Sequence, residues 1–256
     1  MRAFILTFLA VLVIVLVFSS AAASQQTAVT VAPPAAGASV AELEKAGDGL
    51  RTGREYANAL TYYRAALKKD KNNAALYNKA GICELQLKKY DDARRDFRTS
   101  LKKKKDYSEA FNNLGVVFFM QKKYDEAIRQ YDRAVKLNGD SASFHSNLGA
   151  ALFSKGDVPR AVAEYTRAIE LDPEILARIS AGGSIIHVIT PAERAHFFYV
   201  LAKIYAQRND IDRCLDCLRK AKDENYPGIE NVYKDPEFQS LRTDPRLAAV
   251  VPPKTQ

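Results

Sequence analysis

Two cysteines in this chain have the spacing of a redox centre. Cys214 and Cys217 enclose two residues, and such a pair can exchange with a disulfide when the first thiolate is stabilised at a helix N-terminus. The pair could also supply half of a tetrahedral zinc site, but the remaining cysteine, Cys83, lies far away in the sequence. A disulfide-handling role is therefore one hypothesis, and buried structural thiols are the alternative that we favour.

Acid–base and metal chemistry would depend on the histidines. His145, His187 and His196 are scattered along the chain, and the sequence places no catalytic partner beside any of them. There is no glycine-rich phosphate loop, no Gly-x-Ser-x-Gly motif and no His-Glu-x-x-His motif. We therefore predict a protein that is not an enzyme and that binds no cofactor and no metal.

A third chemical feature is the run of four lysines from Lys102 to Lys105. The chain has a formal net charge of +8, which suits nucleic acid, an anionic surface or an acidic partner. Aromatic residues do not alternate with the lysines as a platform for single strands requires, so we expect no nucleic acid. An anionic lipid or an acidic wall polymer remains an alternative ligand for this part of the chain.

The elements that must position these residues form an internal repeat. Residues 40–73, 74–107, 108–141 and 142–175 align without a gap as four units of 34 residues. Glycine recurs at position 8, a small residue at positions 20 and 27, and an aromatic residue at position 24. In that order the residues are Gly47, Gly81, Gly115 and Gly149; Ala59, Ala93, Ala127 and Ala161; Ala66, Ser100, Ala134 and Ala168; and Tyr63, Phe97, Tyr131 and Tyr165. Small side chains let two antiparallel helices approach closely, and the aromatic ring fills the space that remains.

This pattern resembles the tetratricopeptide repeat family. The third unit matches its signature with Phe111, Leu114, Gly115, Phe118, Ala127, Tyr131 and Ala134, and the fourth with Leu148, Gly149, Leu152, Ala161, Tyr165, Ala168 and Pro173. The signature tryptophan is absent from every unit, and only the fourth keeps the terminal proline. The resemblance implies an all-α fold, an α-α superhelix or solenoid of antiparallel helix pairs, in which the first helix of each pair lines a concave groove.

The sequence of the N-terminal region predicts that the protein is exported. Arg2 is followed by the uncharged, mostly apolar run 3–18 and then by small residues, so residues 1–23 are predicted to form a cleaved signal peptide. The alternative is an uncleaved signal anchor that tethers the protein to the inner membrane through residues 3–18. Either reading predicts a periplasmic or secreted protein. Residues 24–39, rich in Ala and Pro, are predicted to be a disordered linker.

The repeat register breaks after the fourth unit. Residues 176–194 are predicted to form an irregular insert that ends in a helix start at Thr190 and Pro191. A divergent fifth unit follows at 195–228, and residues 229–256 are predicted to form short helices that cap the stack. Their helix starts are expected at Asp235-Pro236 and Asp244-Pro245. The apolar residues expected to cover the open end are Phe238, Leu241, Leu247 and Val250.

The repeat register also assigns places to two of the chemical candidates. Cys214 falls at position 20 of the fifth unit, which is a small, buried position inside the second helix, so a structural thiol is favoured over a reactive one. His145 falls at the aromatic position 4 of its unit, which favours a role in packing.

In relatives, positions 2, 5, 6, 9, 12 and 13 of each first helix face the groove. Asparagine recurs at these positions here, and its amide can donate to a peptide carbonyl and accept from a peptide N–H at once. The residues predicted to bind a peptide are Asn78, Lys79, Ile82, Asn112, Asn113, Val116, Phe119, Met120, Ser146, Asn147 and Phe153. The cations with which some relatives clamp a C-terminal carboxylate are absent. The predicted function is a non-enzymatic scaffold of the bacterial cell envelope whose partner is a protein or peptide, and the alternative is an adaptor that binds lipid or polymer through the second unit.

Overall fold

The computed structural model of the protein describes residues 33–176, 178 and 190–253. The predicted signal peptide, most of the predicted linker and most of the predicted insert lie outside the described residues. From Pro34 onward the described residues belong to one compact unit. Within these ranges no helix combines the length and the apolar character needed to cross a bilayer.

Residues 40–171 form eight helices in four consecutive pairs, one pair in each 34-residue unit. They are α1 (Val40–Thr52), α2 (Tyr56–Lys69), α3 (Ala74–Gln86), α4 (Tyr90–Lys103), α5 (Ser108–Met120), α6 (Tyr124–Leu137), α7 (Ala142–Lys155) and α8 (Val158–Leu171). A fifth pair follows, α9 (Pro191–Gln207) and α10 (Ile211–Asp223). The chain then continues through two 3-10 helices, Ile229–Tyr233 and Pro236–Thr243, to α11 (Pro245–Val250). The described residues contain no strand, and the predicted all-α solenoid is confirmed.

Each of the first four pairs closes around the contact of a glycine with an aromatic ring. A Cβ atom built on Gly115 would lie 2.5 Å from Cε1 of Tyr131, and one built on Gly47 would lie 2.6 Å from Cε1 of Tyr63. Both rings are buried. Carbon atoms cannot approach so closely, so the glycine is what allows the two helices to pack at this distance. Thr190 accepts a hydrogen bond from the backbone N–H of Glu193 at the start of α9, as predicted.

The turn inside each pair has one repeating backbone feature. Position 15 of every unit adopts a left-handed conformation, with φ between 58° and 91°. The residues are Arg54, Lys88, Lys122, Gly156 and Asn209. The residue at position 16 then donates its backbone N–H to the carbonyl five positions earlier, for example from Lys123 to Phe118 at 2.9 Å. This hydrogen bond ends the first helix of the pair. Because Asn209 follows the same rule, the fifth pair shares the register of the other four.

The pairs stack so that the first helices form one wall. α3 contacts α5, and α5 contacts α7. The wall continues into α9, because Phe153 packs against Phe197 at 5.7 Å between ring centroids. Each second helix packs on the first helix of the next pair.

The C-terminal segment covers the last pair, as predicted, but one of its two predicted caps is wrong. Asp244 accepts a hydrogen bond from the backbone N–H of Arg246 at 2.9 Å, whereas Asp235 caps no helix. Its carboxylate instead accepts from the Tyr199 hydroxyl at 2.9 Å and from Lys203 at 2.7 Å, since these α9 groups are partly buried and offer stronger partners. The four predicted apolar residues are all buried, namely Phe238, Leu241, Leu247 and Val250.

Candidate peptide-binding groove

The groove asparagines of α3, α5 and α7 hydrogen-bond to one another. Asn147 donates to Asn112 at 2.8 Å, Asn112 donates to Asn113 at 3.4 Å, and Asn113 donates to Asn78 at 3.0 Å. We call these four residues the asparagine ladder. From the sequence, these amides are predicted only to bind a peptide. The structure shows that they also link consecutive repeats by hydrogen bonds.

The rungs between repeats follow a simple sequence rule. Position 6 of one unit donates to position 5 of the preceding unit, 35 residues earlier, in the pairs Asn147–Asn112 and Asn113–Asn78. Lys79 and Glu44 form the same rung between the first two units at 2.7 Å. The series stops at Ser146, position 5 of the fourth unit, whose buried Oγ has no hydrogen-bond partner among the described residues. The corresponding position 6 of the fifth unit is Val200, which has no side-chain donor.

The ladder determines which amides a peptide can reach. Asn78 and Asn112 are buried at 5% and 8% exposure, whereas Asn113 and Asn147 are half-buried. Each amide nitrogen carries two N–H groups, and the ladder uses one of them. Asn113 and Asn147 therefore each retain an N–H that a peptide carbonyl could accept. Ser146 has no exposed surface, so it offers nothing to a peptide.

Lys79 is already neutralised by the first pair of helices. Its ammonium lies 2.7 Å from Glu44 and 2.6 Å from Asp48, and Asp48 also accepts from the Tyr63 hydroxyl at 2.8 Å. Partial burial acts to lower the pKa of Lys79, but the hydrogen bonds from its ammonium to the two carboxylates outweigh it and raise that pKa. This lysine therefore ties α3 to α1 and is not a free cation for a partner.

The predicted apolar floor contains a small hollow. Val116, Met120, Leu85 and Tyr90, together with Gln86 and the exposed Lys88, line a space of about 170 Å³. A cavity of about 150 Å³ can hold a benzene ring. One apolar side chain of a bound segment would therefore fit. Two other predicted floor residues, Phe119 and Phe153, are almost fully buried, while Ile82 is half-buried.

An aromatic group that the sequence did not single out extends this wall at α9. The half-buried imidazole of His196 lies 5.2 Å from the Phe153 ring and stacks on Tyr226 at 5.7 Å with 13° between the planes. Burial, helped by Lys203, lowers the pKa of His196, which favours the neutral ring. His196 occupies position 2 of the fifth unit, so the repeat register alone could have identified it.

The three cysteines and His145 are structural, whereas His187 lies outside the described residues. Cys214 and Cys217 are buried in α10 as free thiols, and burial raises the pKa of each to about 12, so neither provides a reactive thiolate. Burial likewise raises the pKa of Cys83 to about 11. His145 is buried between Glu164 at 2.6 Å and the Gly139 carbonyl at 3.0 Å. In the part of the chain that the structure describes, no group of His, Cys, Asp or Glu could hold a metal ion.

Sequence models of known families match the four regular units. Models described as tetratricopeptide repeats match residues 44–94, 84–135 and 142–175, and one described as a TPR repeat matches 117–156. Together the matches run from residue 44 to residue 175, about half of the chain. A comparison with curated proteins gives no match.

Solved structures share the fold at low sequence identity. A crystal structure of MamA protein is 22% identical with a TM-score of 0.51, over 76% of this chain and 94% of that one. MamA from Desulfovibrio magneticus RS-1 is 18% identical with a TM-score of 0.52, over 74% and 97%. YrrB, described as a TPR protein with an unusual peptide-binding site, is 22% identical with a TM-score of 0.49, over 76% and 91%.

Proposed function

The chain belongs to the tetratricopeptide repeat family, whose repeats are non-catalytic scaffolds for protein interactions, and we propose that it holds an extended segment of a partner polypeptide along α3, α5, α7 and α9. The observation that carries this proposal is the asparagine ladder. It fixes the orientation of Asn113 and Asn147 and leaves each with an N–H that a peptide carbonyl could accept.

The geometry favours recognition of backbone over recognition of sequence. Amide donors read a peptide carbonyl whatever the side chain, and the hollow beside Val116 and Met120 accepts one apolar residue. Since Lys79 is neutralised by Glu44 and Asp48, the groove offers no cation at this point for a terminal carboxylate. We therefore expect an internal segment to bind as well as a C-terminal one.

A peptide-display selection against the intact protein tests this proposal. Selected peptides should bind the double variant Asn113→Ala with Asn147→Ala about thirtyfold more weakly, since each of the two lost hydrogen bonds contributes roughly 1 kcal/mol. The matched control is Asn138→Ala with Asn231→Ala, which removes two exposed asparagines outside the groove and should leave affinity unchanged. Amidation of the peptide C-terminus should also have no effect. Selected peptides that bind the groove variant and the wild type equally would refute groove binding.

We also propose that the protein works outside the cytoplasm, in the bacterial cell envelope. The support is the basic start and uncharged run of residues 1–23 followed by small residues. Mass spectrometry of the protein from an envelope fraction should find an N-terminus at Ser24. A cytoplasmic protein that retains Arg2 would contradict this proposal, whereas an envelope protein that retains it would indicate the signal anchor.

A second candidate function is binding of anionic lipid or wall polymer through residues 74–107. That unit has ten lysine and arginine residues and five acidic ones. Four of its exposed lysines, Lys102 to Lys105, lie at the end of α4 and just after it. Such binding should fall steeply with salt. Binding in the groove should change less, because its proposed contacts are the uncharged amides of Asn113 and Asn147 and the hollow adds a single cation, Lys88. Salt titration therefore distinguishes the two candidates.

A further inference from the structure

A second concave site lies on the other side of α5 from the groove. α4, α5 and α6 enclose a hollow of about 560 Å³, which we call the α4–α6 hollow. Its floor consists of Phe111, Leu114 and Phe118. Because an α-helix turns 100° per residue, the centre of this floor lies roughly 130° around α5 from Asn112, Val116 and Phe119 of the groove. The two sites are therefore separate surfaces of one helix.

The rim of the α4–α6 hollow is strongly basic. Three cations come from α4 and the turn after it, and two come from α6; they are Arg98, Lys102, Lys105, Arg129 and Arg133. The single acidic residue on the rim is Glu126, which lies 4.0 Å from Arg129. The other four cations form no salt bridge with any described residue, although Arg133 stacks on Phe111 at 4.7 Å from the ring centroid. The hollow thus combines unneutralised positive charge on two walls with an aromatic floor.

We propose that the α4–α6 hollow binds an acidic segment of a protein partner that carries one large apolar side chain between carboxylates. Guanidinium groups match carboxylates with paired hydrogen bonds, and the rim provides them on both walls. The floor provides contact for one side chain. The groove lies on a different face of α5, so this interaction is independent of the proposed groove function.

The shape of the site favours a peptide over a membrane surface. A planar bilayer can contact only residues that protrude from a protein surface. Interfacial binding also usually needs a face of exposed apolar side chains beside the cations. Among the described residues the one large apolar side chain that is exposed is Leu137, at 46%. The cations instead surround a recess, which a protruding peptide segment can enter.

The probe for this proposal is a fluorescein-labelled, C-terminally amidated peptide Asp-Glu-Phe-Glu-Asp, measured by fluorescence anisotropy with the full chain. Replacing its Phe by Ser should weaken binding at least tenfold, because it removes the burial of an aromatic side chain. Replacing its four acidic residues by Asn and Gln should abolish binding. These two arms need no protein variant, so misfolding cannot affect them.

The protein variants then locate the site. Arg98→Gln with Arg129→Gln should weaken binding about tenfold. The charge-matched control Arg208→Gln with Lys234→Gln removes two exposed cations at the other end of the chain and should change affinity less than twofold. The groove variant Asn113→Ala with Asn147→Ala should bind the probe normally.

Four results would each overturn the proposal. They are no binding at millimolar probe, equal binding of the Ser peptide, equal losses in the rim and control variants, and phosphatidylglycerol vesicles that bind through the rim while the peptide does not. Equal losses in the two variants would show that only the overall charge attracts the peptide.

Discussion

Two buried carboxyl groups between the first two repeats share one cation. The side chains of Glu84 on α3 and Asp96 on α4 are each 5% exposed, and each lies 2.6 Å from the same guanidinium nitrogen of Arg64 on α2. Burial, together with the neighbouring Asp96 and despite Arg64, raises the pKa of Glu84 from its ordinary value of 4.5 to about 7. The pKa of Asp96 is raised by burial as well, although Arg64 opposes the rise.

The raised pKa of Glu84 fixes the sign of a pH effect. Between pH 4.5 and about 7 the folded protein keeps a proton that the unfolded chain has lost, so the free energy of unfolding falls as the pH rises. The stabilisation is fully present below pH 4.5 and is lost above pH 7. A shift of about 2.5 pKa units corresponds to about 3 kcal/mol at most.

The substitution Glu84→Gln should remove this pH dependence. The neutral amide imitates the protonated acid, so the variant should equal the wild type near pH 5 and exceed it by about 2–3 kcal/mol at pH 8. Urea denaturation followed by circular dichroism at pH 5, 6, 7 and 8 measures the difference. Glu109→Gln, at an exposed glutamate, is the control and should keep the wild-type slope. A variant that is less stable than the wild type at pH 8, or a difference that does not change with pH, would refute the reasoning.

Four further substitutions test the packing of the repeats by thermal or urea denaturation. Gly115→Ala should destabilise by about 1–3 kcal/mol, because its Cβ would lie 2.5 Å from the Tyr131 ring, whereas Gly49→Ala, with nothing within 4 Å, should stabilise α1 by about 0.5–1 kcal/mol. Lys122→Gly should stabilise by about 1 kcal/mol, because it relieves a left-handed φ of 58°, and no gain would mean that the lysine side chain contributes elsewhere. Asn112→Ala should cost about 1–3 kcal/mol, because it removes two hydrogen bonds of the ladder, those with Asn113 and Asn147; a smaller loss than at an exposed asparagine would contradict a structural role for the ladder.

The helix pairs were predictable because the restraint on them is steric and local. A glycine at position 8 and an aromatic residue at position 24 can only meet where two helices of one unit touch, and the contact of Gly115 with Tyr131 shows this. The same register correctly predicted that Cys214 would be buried.

The ladder and the α4–α6 hollow depend on contacts between units, which a pattern within one unit does not contain. Asn113 reaches Asn78 only because adjacent first helices lie side by side. The Lys79–Glu44 rung has the same 35-residue spacing, so a search for polar pairs at that spacing could have found the ladder. No residue spacing in the sequence could have revealed the α4–α6 hollow, since the hollow depends on the distance between the second helices α4 and α6. Asp235 was misassigned because an Asp-Pro pair does not reveal Tyr199 and Lys203 nearby.

The most direct test of the groove is to follow the side-chain amide resonances of Asn113 and Asn147 by NMR while a display-selected peptide is added to the isotope-labelled protein. We predict that both amide signals shift in proportion to the bound fraction, while the Arg98 and Arg129 signals of the α4–α6 hollow stay in place. Saturable binding that leaves the two asparagine amides unmoved would contradict the claim that these repeats hold a polypeptide in their groove.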